Sequence, residues 1–566
     1  MSDKKLELVL LWHMHQPDYR DRLTGEFTLP WVYLHAIKDY TDMAAHLEAH
    51  PRIAAVVNFV PILLDQLEEY ARQIAAGEVR DPLLALLARE NLDHVSAAER
   101  KLILDSCFRT NHSRMIDPFP AYKYLYQLFA EISKRSDPAD AYLSGQYLAD
   151  LLTWYHLAWT GESVRRGHAL VVALMSKGSL FSVAERRQLF NLLGTLIGEL
   201  ITRYRRLAEN GRVELSATPY HHPLAPLLLD FNSARESEPA LSLPQAPYYP
   251  GGLSRVTEHV RSARAIHAQR FGAVPQGMWP AEGGLSTAFA RVLAEQGCRW
   301  TASGEGVLRN SLRKASTAAA ERSSYLYRPY RLRGAPGISA FFRDDRLSDL
   351  IGFEYAKWHG KDAANHFIAE LETIRANAPA ESEVMVVVIL DGENAWEYYP
   401  YNGYHFLNDL YSALEAHDFI RTTTFSEYLA RPRTAEAQGE LPELVAGSWV
   451  YGTFSTWIGA ADKNRAWDLL CAAKSSYDLV MASGRLTTAE QDDAKSQLAA
   501  CEASDWFWWF GDYNPPHAVA SFDRLFRRNL SNLYRLLKLP APAELGLPIS
   551  HGAGDPEAGG AMRRAS

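Results

Sequence analysis

Four cysteines in 566 residues are too few and too scattered to staple the chain. Cys107, Cys298, Cys471 and Cys501 show no CxxC spacing and none of the density of a secreted disulfide scaffold, so they read as buried thiols. No run of ~20 apolar residues is present that could span a bilayer. The N-terminal stretch MSDKKLELVLLWHMHQ leads into histidines instead of a small-residue cleavage site, which makes it the first strand of a fold and not a signal peptide. The expected location is the cytoplasm, with no membrane partner. Dense basic blocks are also missing: the net charge is -8 and only Arg563 and Arg564 adjoin in the tail. That argues against nucleic acid as a partner and for a neutral or small-molecule substrate.

Aromatic surface, by contrast, is plentiful: 14 Trp, 28 Tyr and 22 Phe, with Trp506, Trp508 and Trp509 crowded into four positions. A core alone does not need that crowding, and flat apolar rings also stack on sugar faces. A chain of 566 residues exceeds the size one core sustains, so roughly two to four domains are expected, with a large barrel among the candidates.

The clearest strand runs from Val384 to Leu390, where five of the residues are Val or Ile. It breaks abruptly into Asp391, Gly392, Glu393, Asn394 and Trp396. In α/β barrels the carboxyl ends of the strands carry the chemistry, because the strand-to-helix loops converge there. Leu6 to Trp12 is another apolar run, ending in His13, Met14, His15, Gln16 and Pro17. On an extended chain His13 and His15 point the same way. Ile53 to Val60 and Val213 to Ala217 continue the series. A short strand before Glu282 precedes a helix from Thr287 to Gln296, which Ser286 can cap and Gly297 can end. Arg299 to Ala302, Ser339 to Phe342 and Phe419 to Thr423 bring the count to seven or eight strands alternating with helices. That is the pattern of a parallel barrel, closed or incomplete. Residues 1–430 are assigned to the barrel, with a helical insertion at about 61–185. Residues 431–545 form a helical domain, and 546–566, rich in Gly, Ala and charge, a disordered tail.

Two strand-end carboxylates on one barrel, Glu282 and Asp391, are what glycoside cleavage requires. One attacks or stabilises the anomeric carbon while the other protonates the departing oxygen. Burial beside an aromatic wall and mutual repulsion would separate their pKa values. Other readings of the residues stay open. Asp-Gly is an ordinary turn dipeptide, His13 and His15 could be satisfied strand-end groups or metal ligands, and any single Trp could pack between domains.

Five ordered motifs narrow the choice: His13-Met-His-Gln-Pro17, Thr218-Pro-Tyr-His-His-Pro223, Gly277-Met-Trp-Pro-Ala-Glu282, Leu390-Asp-Gly-Glu-Asn-Ala-Trp-Glu397 and Glu502-Ala-Ser-Asp-Trp-Phe-Trp-Trp-Phe510. Together they make the chain resemble glycoside hydrolase family 57, whose members act on α-glucans. The resemblance implies an incomplete parallel (β/α)7 barrel with a helical domain packed against it. It also implies a retaining double displacement with Glu282 as nucleophile and Asp391 as acid/base, which needs the two carboxyl groups ~5–5.5 Å apart. Asp391 must start protonated, so a raised pKa and an acid-to-neutral optimum are expected. By the same resemblance His13, His15, Gln16 and His222 hold the sugar beside the scissile bond, although His221 stands next to His222 and either could reach the pocket. Trp279 and Trp396 would wall that subsite, and Trp457, Asp505 and Trp508 would be brought over the barrel mouth to bind further glucose units. Glu393 and Glu397 read as hydrogen-bonding or structural carboxylates, and Arg343-Asp-Asp345 as a further strand end of either kind.

No cofactor or metal is implied. The expected partner is an α-glucan or maltooligosaccharide, and the expected reaction its hydrolysis through a glycosyl-enzyme. A 4-α-glucanotransferase or branching enzyme is the alternative. A metal-dependent deacetylase using His13 and His15, or a non-catalytic glucan-binding protein, are further rivals.

Overall fold

Leu, Val and Trp with hardly a polar interruption leave Leu6–Met14 (β1) without a solvent face, and all nine residues are buried. The computed structural model, which describes residues 5–135, 142–315, 321–378, 383–432 and 438–554, sets this strand at the centre of the sheet. Val384–Asp391 (β8) lies parallel to it along its whole length, from Leu6 opposite Val384 to His13 opposite Asp391. On its other edge β1 pairs with Ala55–Phe59 (β2) toward the carboxyl end and with Ile420–Thr422 (β9) toward the amino end.

Beyond β2 follow Val213–Ala217 (β3), Gly277–Met278 (β4), Trp300–Gly304 (β5) and Ser339–Arg343 (β7), each parallel to its neighbour. β7 then meets β8 through Asp344 N, which donates to Val387 O at 2.7 Å, instead of through a paired ladder. The seven strands β8, β1, β2, β3, β4, β5 and β7 therefore curl into an incomplete parallel barrel. Two three-residue strands, Tyr330–Leu332 (β6) and Gly439–Leu441 (β10), extend the sheet past β7, with β6 antiparallel to β7.

Alternation along each strand decides what the barrel contains. Val9 and Leu11 on β1, Val56 on β2, Ala302 on β5, Phe341 on β7, and Met385, Val387 and Ile389 on β8 pack with one another and with Trp300, and Phe425 and Tyr428 complete the cluster. Each such Val, Leu or Ile contributes about 1.5–3 kcal/mol by leaving water. The intervening residues Leu8, Leu10 and Trp12 join the core formed with the surrounding helices.

Between β2 and β3 the chain is helical from Pro61–Ala76 to Val183–Glu209. That last helix starts inside the stretch assigned to the insertion, where Ser182 and Glu185 form a reciprocal cap. After β10 come Ala461–Ala482, Thr488–Cys501, Asp505–Trp509 and Pro516–Leu536. The expected tail is packed at its start: Ile549 and Ser550 are buried, Ile549 N donates to Asp523 at 2.8 Å, and Gly554 N donates to Asn514 O at 3.0 Å. Its remainder, 555–566, lies outside the described residues. The four cysteines are buried free thiols, and no described helix is long and apolar enough to cross a membrane.

Candidate active site at the barrel mouth

The inward row of β1 runs Val9, Leu11, His13, and that of β8 runs Met385, Val387, Ile389, Asp391. The same alternation that fills the barrel with apolar side chains thus ends, one step higher, on an imidazole beside a carboxyl. Asn58 takes the corresponding place after Val56 on β2, and its Oδ1 lies 2.7 Å from His13 Nδ1. Gly392 keeps the two strands in register past Asp391: its N donates to His13 O at 2.7 Å, and a Cβ there would strike Met14 Sδ. Asp391 Oδ2 accepts from Asn394 Nδ2 at 2.8 Å. Burial pushes its pKa up to about 6 against the pull of Asn394, His15 and Arg343.

Glu282 is mounted differently. β4 is two residues long, and beyond it the chain turns through a short 3-10 segment in which Glu282 has φ 58°. A non-glycine residue in that region costs on the order of 1–3 kcal/mol and persists only where its surroundings hold it. Here they do: Trp449 N donates to Glu282 O at 3.0 Å and Trp449 Nε1 to Glu282 Oε2 at 3.3 Å, while the Ser504 hydroxyl sits 3.0 Å from Glu282 Oε1. Burial, with Asp505 and Asp391 nearby, raises its pKa to about 8.

Ser504 and Asp505 come from the C-terminal helices and are fixed from below by Glu502. The buried Glu502 carboxylate accepts from Tyr249 Oη at 2.6 Å and from Arg255 at 2.6 and 2.8 Å, and lies 2.7 Å from His259 Nε2. These partners hold it well below the usual carboxylate range despite its burial. Ser504 N donates to the carbonyl of His222, also a left-handed residue at φ 58°, and Pro223 bridges Ala503. His222 is thereby turned into the cavity, its ring 3.8 Å from that of His15 and 5.2 Å from that of His13. His15 Nε2 lies 2.8 Å from Asp505 Oδ1. His221, facing away, lines a separate cleft beside His259, which resolves which of the pair reaches the site.

Glu282, Asp391, His13, His15, Gln16, His222, Asp505 and Trp508 all line one cleft of about 1690 Å³, open mouth included. Glu393 lines it too: Oε1 accepts from His15 N at 3.3 Å and Gln16 Nε2 at 3.2 Å, and burial raises its pKa well above the usual range. The two expected wall residues, Trp396 and Trp279, and Trp457, expected over the barrel mouth, do not line the cleft. Trp396 is buried against Trp12 and Tyr399 and donates to Gly392 O, because it lies under the loop that carries Asp391. Trp279 stands edge-on behind Trp449, and Trp457 packs behind Trp508.

Sequence reading missed Trp449, Ser504 and Asn58 as site residues. Trp449 supplies the wall assigned to Trp279, with the Arg343 guanidinium 5.2 Å above its ring, and Arg343 and Glu397 also line the cleft. Ser504 sat inside a quoted motif, and a polar Asn58 within the run from Ile53 to Val60 was the one sign available.

Among the described residues, His15, His222 and Asp505 bring one donor atom each within 4.8 Å of one another. Both His222 nitrogens are already bonded, to Ser504 at 2.9 Å and His13 at 3.2 Å, and His15 Nε2 is taken by Asp505. The three side chains already form one hydrogen-bonded cluster, in which His15 Nδ1 and Asp505 Oδ2 are buried without a hydrogen-bond partner.

The fold is shared with a branching enzyme from Thermococcus kodakaraensis solved with glucose (TM-score 0.57, 14% identity, covering 94% of this chain and 90% of that one). It is shared also with a branching enzyme from Pyrococcus horikoshii (0.56, 14%, 98% and 99%) and the α-amylase AmyC from Thermotoga maritima (0.57, 13%, 94% and 93%). No curated protein sequence matches. The sequence profile of glycosyl hydrolase family 57 matches residues 9–440, from within the strand that carries His13 past the carboxylates Glu282 and Asp391, and the chain belongs to that family.

Proposed function

We propose that the protein cleaves α-glucosidic bonds of α-glucans by a retaining double displacement, with Glu282 as nucleophile and Asp391 as acid/base. The observation that carries this reading is the pair itself: two carboxyls from opposite sides of the barrel line one cleft, and burial there opposes the ionisation of each. Asp391 protonates the departing glycosidic oxygen while Glu282 attacks the anomeric carbon. Water then releases the sugar, with Asp391 as base. Family membership and the amylase and branching-enzyme neighbours support an α-glucan as substrate.

One observation favours a second reading. Trp31, Trp159, Trp449, Trp508, Trp509 and Phe522 line the cleft, an enclosure that disfavours water and suits a sugar acceptor. Product analysis on maltoheptaose, amylose and pullulan separates the two. New reducing ends mark hydrolysis, and longer or branched chains at constant reducing power mark transfer. Wild-type rates in both Glu282→Gln and Asp391→Asn would overturn the site assignment.

A further inference from the structure

Of the described residues between β2 and β3, two reach the cleft: Arg109 and Trp159. The helical insertion that carries them is tied to the segments that follow β1 and β8, the strands that carry His13 and Asp391. Gly161 N donates to Ile37 O at 2.8 Å, and Asp42 accepts from Glu162 N at 2.7 Å and from Ser163 N at 2.9 Å. Arg114 Nε donates to Tyr398 O at 2.9 Å. The insertion is thus registered on the site itself.

These contacts bring a second group of aromatic and charged side chains to the cleft. Trp159 ends the helix Gly145–Trp159 and is buried. Trp31 packs against it with ring centroids 6.0 Å apart, and His35 meets it edge-on at 5.7 Å. Trp31 itself is half-buried and lines the cleft, so its ring is a flat apolar platform braced from behind. The Trp159 Nε1–H is buried without an acceptor. Arg109 is exposed, and its guanidinium makes no ion pair or hydrogen bond with the described residues. Its charge reaches Tyr155, whose ring packs 6.2 Å from that of Trp159. Facing it is His517 of the helix Pro516–Leu536, near enough that the Arg109 charge adds to burial in lowering its pKa. A guanidinium with five N–H groups and an indole N–H thus stand together with no acceptor among the described residues.

The group lies on the Asp391 side of the site. Glu397 lines the same cleft from the loop that Asp391 begins. Burial raises its pKa against the pull of Lys38 and His35, and Lys38 Nζ sits 5.4 Å above the Trp159 ring, so Glu397 stands beside Trp159. In a double displacement the residue that protonates the departing oxygen faces the chain that leaves, and the nucleophile faces the sugar that stays. A glucan laid across the pair therefore runs, on its leaving side, from Asp391 along that loop to Glu397 and on to Trp31 and Arg109.

We propose that the helical insertion completes a remote subsite for the leaving side of the glucan, in which Trp31 stacks on a glucose face, Arg109 and the Trp159 indole donate to sugar hydroxyls, and Glu397 accepts from one. The inference rests on the assignment of Asp391 as acid/base given above. Apolar ring faces and fixed polar groups at their edges are what recognition of a neutral sugar requires. In hydrolysis the subsite holds the fragment about to depart, and in transfer it holds the acceptor that takes its place, because both occupy the same side of the glycosyl-enzyme. Substrates long enough to reach the insertion are favoured in either case.

The test compares maltoheptaose with an aryl α-maltoside, whose leaving group is a single aromatic ring too short to reach the insertion, and adds calorimetric titration of maltoheptaose into the Glu282→Gln background. Arg109→Ala, an exposed change that the fold tolerates, should raise KM for maltoheptaose roughly 10-fold, as loss of one charge-assisted hydrogen bond does. The loss in kcat/KM should be at least about 5-fold larger on maltoheptaose than on the aryl maltoside, and the titration should show the same weakening of Kd as KM does. Trp31→Ala should split the two substrates in the same direction. Equal losses on both substrates, or maltoheptaose binding that Arg109→Ala does not weaken, overturn the subsite. Weakened binding in an enzyme that turns over neither substrate keeps the subsite and overturns the glycosidase reading, whereas turnover of both with equal losses does the reverse. Failure of Glu282→Gln to bind maltoheptaose at all overturns both.

Discussion

The two carboxylates of the cleft are mounted on opposite principles. Asp391 is the last residue of an eight-residue strand, reached by simple alternation from Val387 and Ile389, and its hydrogen-bond partner Asn394 lies three residues away in its own loop. Glu282 follows a two-residue strand, sits on a left-handed backbone, and is held by Trp449 and Ser504, which are 167 and 222 residues distant. The barrel alone can place the first. Placing the second requires the C-terminal helices to be docked. A site built this way couples assembly to chemistry: one proposed catalytic group is intrinsic to the strand, and the other becomes competent only when the second part of the chain is in position.

The comparison breaks most completely at the carboxylates themselves. As the proposed nucleophile, Glu282 in Glu282→Gln should lower kcat by at least ~10⁴-fold with every substrate. Asp391→Asn should cost ~10²–10⁴-fold on maltooligosaccharides but far less on aryl glycosides with good leaving groups, which need little protonation. Equal losses on both substrate types would remove Asp391 from the acid role. The pair also sets the pH profile. With Asp391 raised to about 6 and Glu282 to about 8, one proton is shared between them from pH 6 to 8. The productive microstate, with Glu282 ionised and Asp391 protonated, carries the same net charge as its inverse, so both follow the same pH window. kcat/KM should rise through about 6 and fall through about 8.

A less direct break lies under the helical side. Glu502 touches nothing in the cleft, yet it joins Tyr249, Arg255 and His259 beneath Ser504. Glu502→Gln leaves the Arg255 guanidinium buried without its counter-charge, which costs about 3–5 kcal/mol when one partner of a buried pair is removed. Denaturant unfolding measures this loss, and Glu282 should suffer with it while Asp391 does not. A variant with unaltered stability and activity would show that the mounting of Glu282 does not depend on this network.

Titration offers a further contrast. Glu282 has an ordinary value near 4.5 and holds its proton to about 8 in the folded chain. Between those values the folded state binds more protons than the unfolded one, so stability falls as pH rises through that window and the whole penalty stands above 8. Gln cannot ionise and escapes it. Glu282→Gln should therefore be more stable than wild type at pH 9, by roughly 2–5 kcal/mol at ~1.4 kcal/mol per pKa unit, and equal to it at pH 4. Asp391→Asn should show the same sign with a smaller size.

The same division explains what the sequence disclosed. β1, β2, β3 and β8 are apolar runs whose alternation and strand-end breaks are visible locally, and with them came His13, His15, Gln16 and Asp391. The incomplete barrel followed from the count of such runs and from the family resemblance. β6 and β10, three residues each, carry no period long enough to detect. Trp449 had no local pattern to mark it, and Ser504, although inside the Glu502 to Phe510 motif, was not singled out, because both act through contact across the fold. His222 was separated from His221 by a backbone φ that a His-His dipeptide does not announce. Trp279 and Trp396 were assigned to the wall and Trp457 to further glucose units because a motif cannot tell a Trp that faces a cleft from one that packs behind the residue that does.

Trp449 gives the finest test of the contrast, because it touches only Glu282 of the two carboxylates. Its indole donates at 3.3 Å, near the long end of a useful hydrogen bond, while its ring walls the cleft against Arg343. Trp449→Phe keeps most of the wall and removes the donor. A hydrogen bond of that length to an ionisable partner contributes ~1 kcal/mol, so kcat should fall by roughly 3–10-fold with KM nearly unchanged. Because that bond favours the ionised carboxylate, its loss should move the alkaline limb of the profile to higher pH and leave the acid limb in place. A rise in KM with both limbs unmoved would instead assign Trp449 to sugar stacking alone, and the mounting of Glu282 would then rest on Ser504 and the backbone bond to Trp449 N.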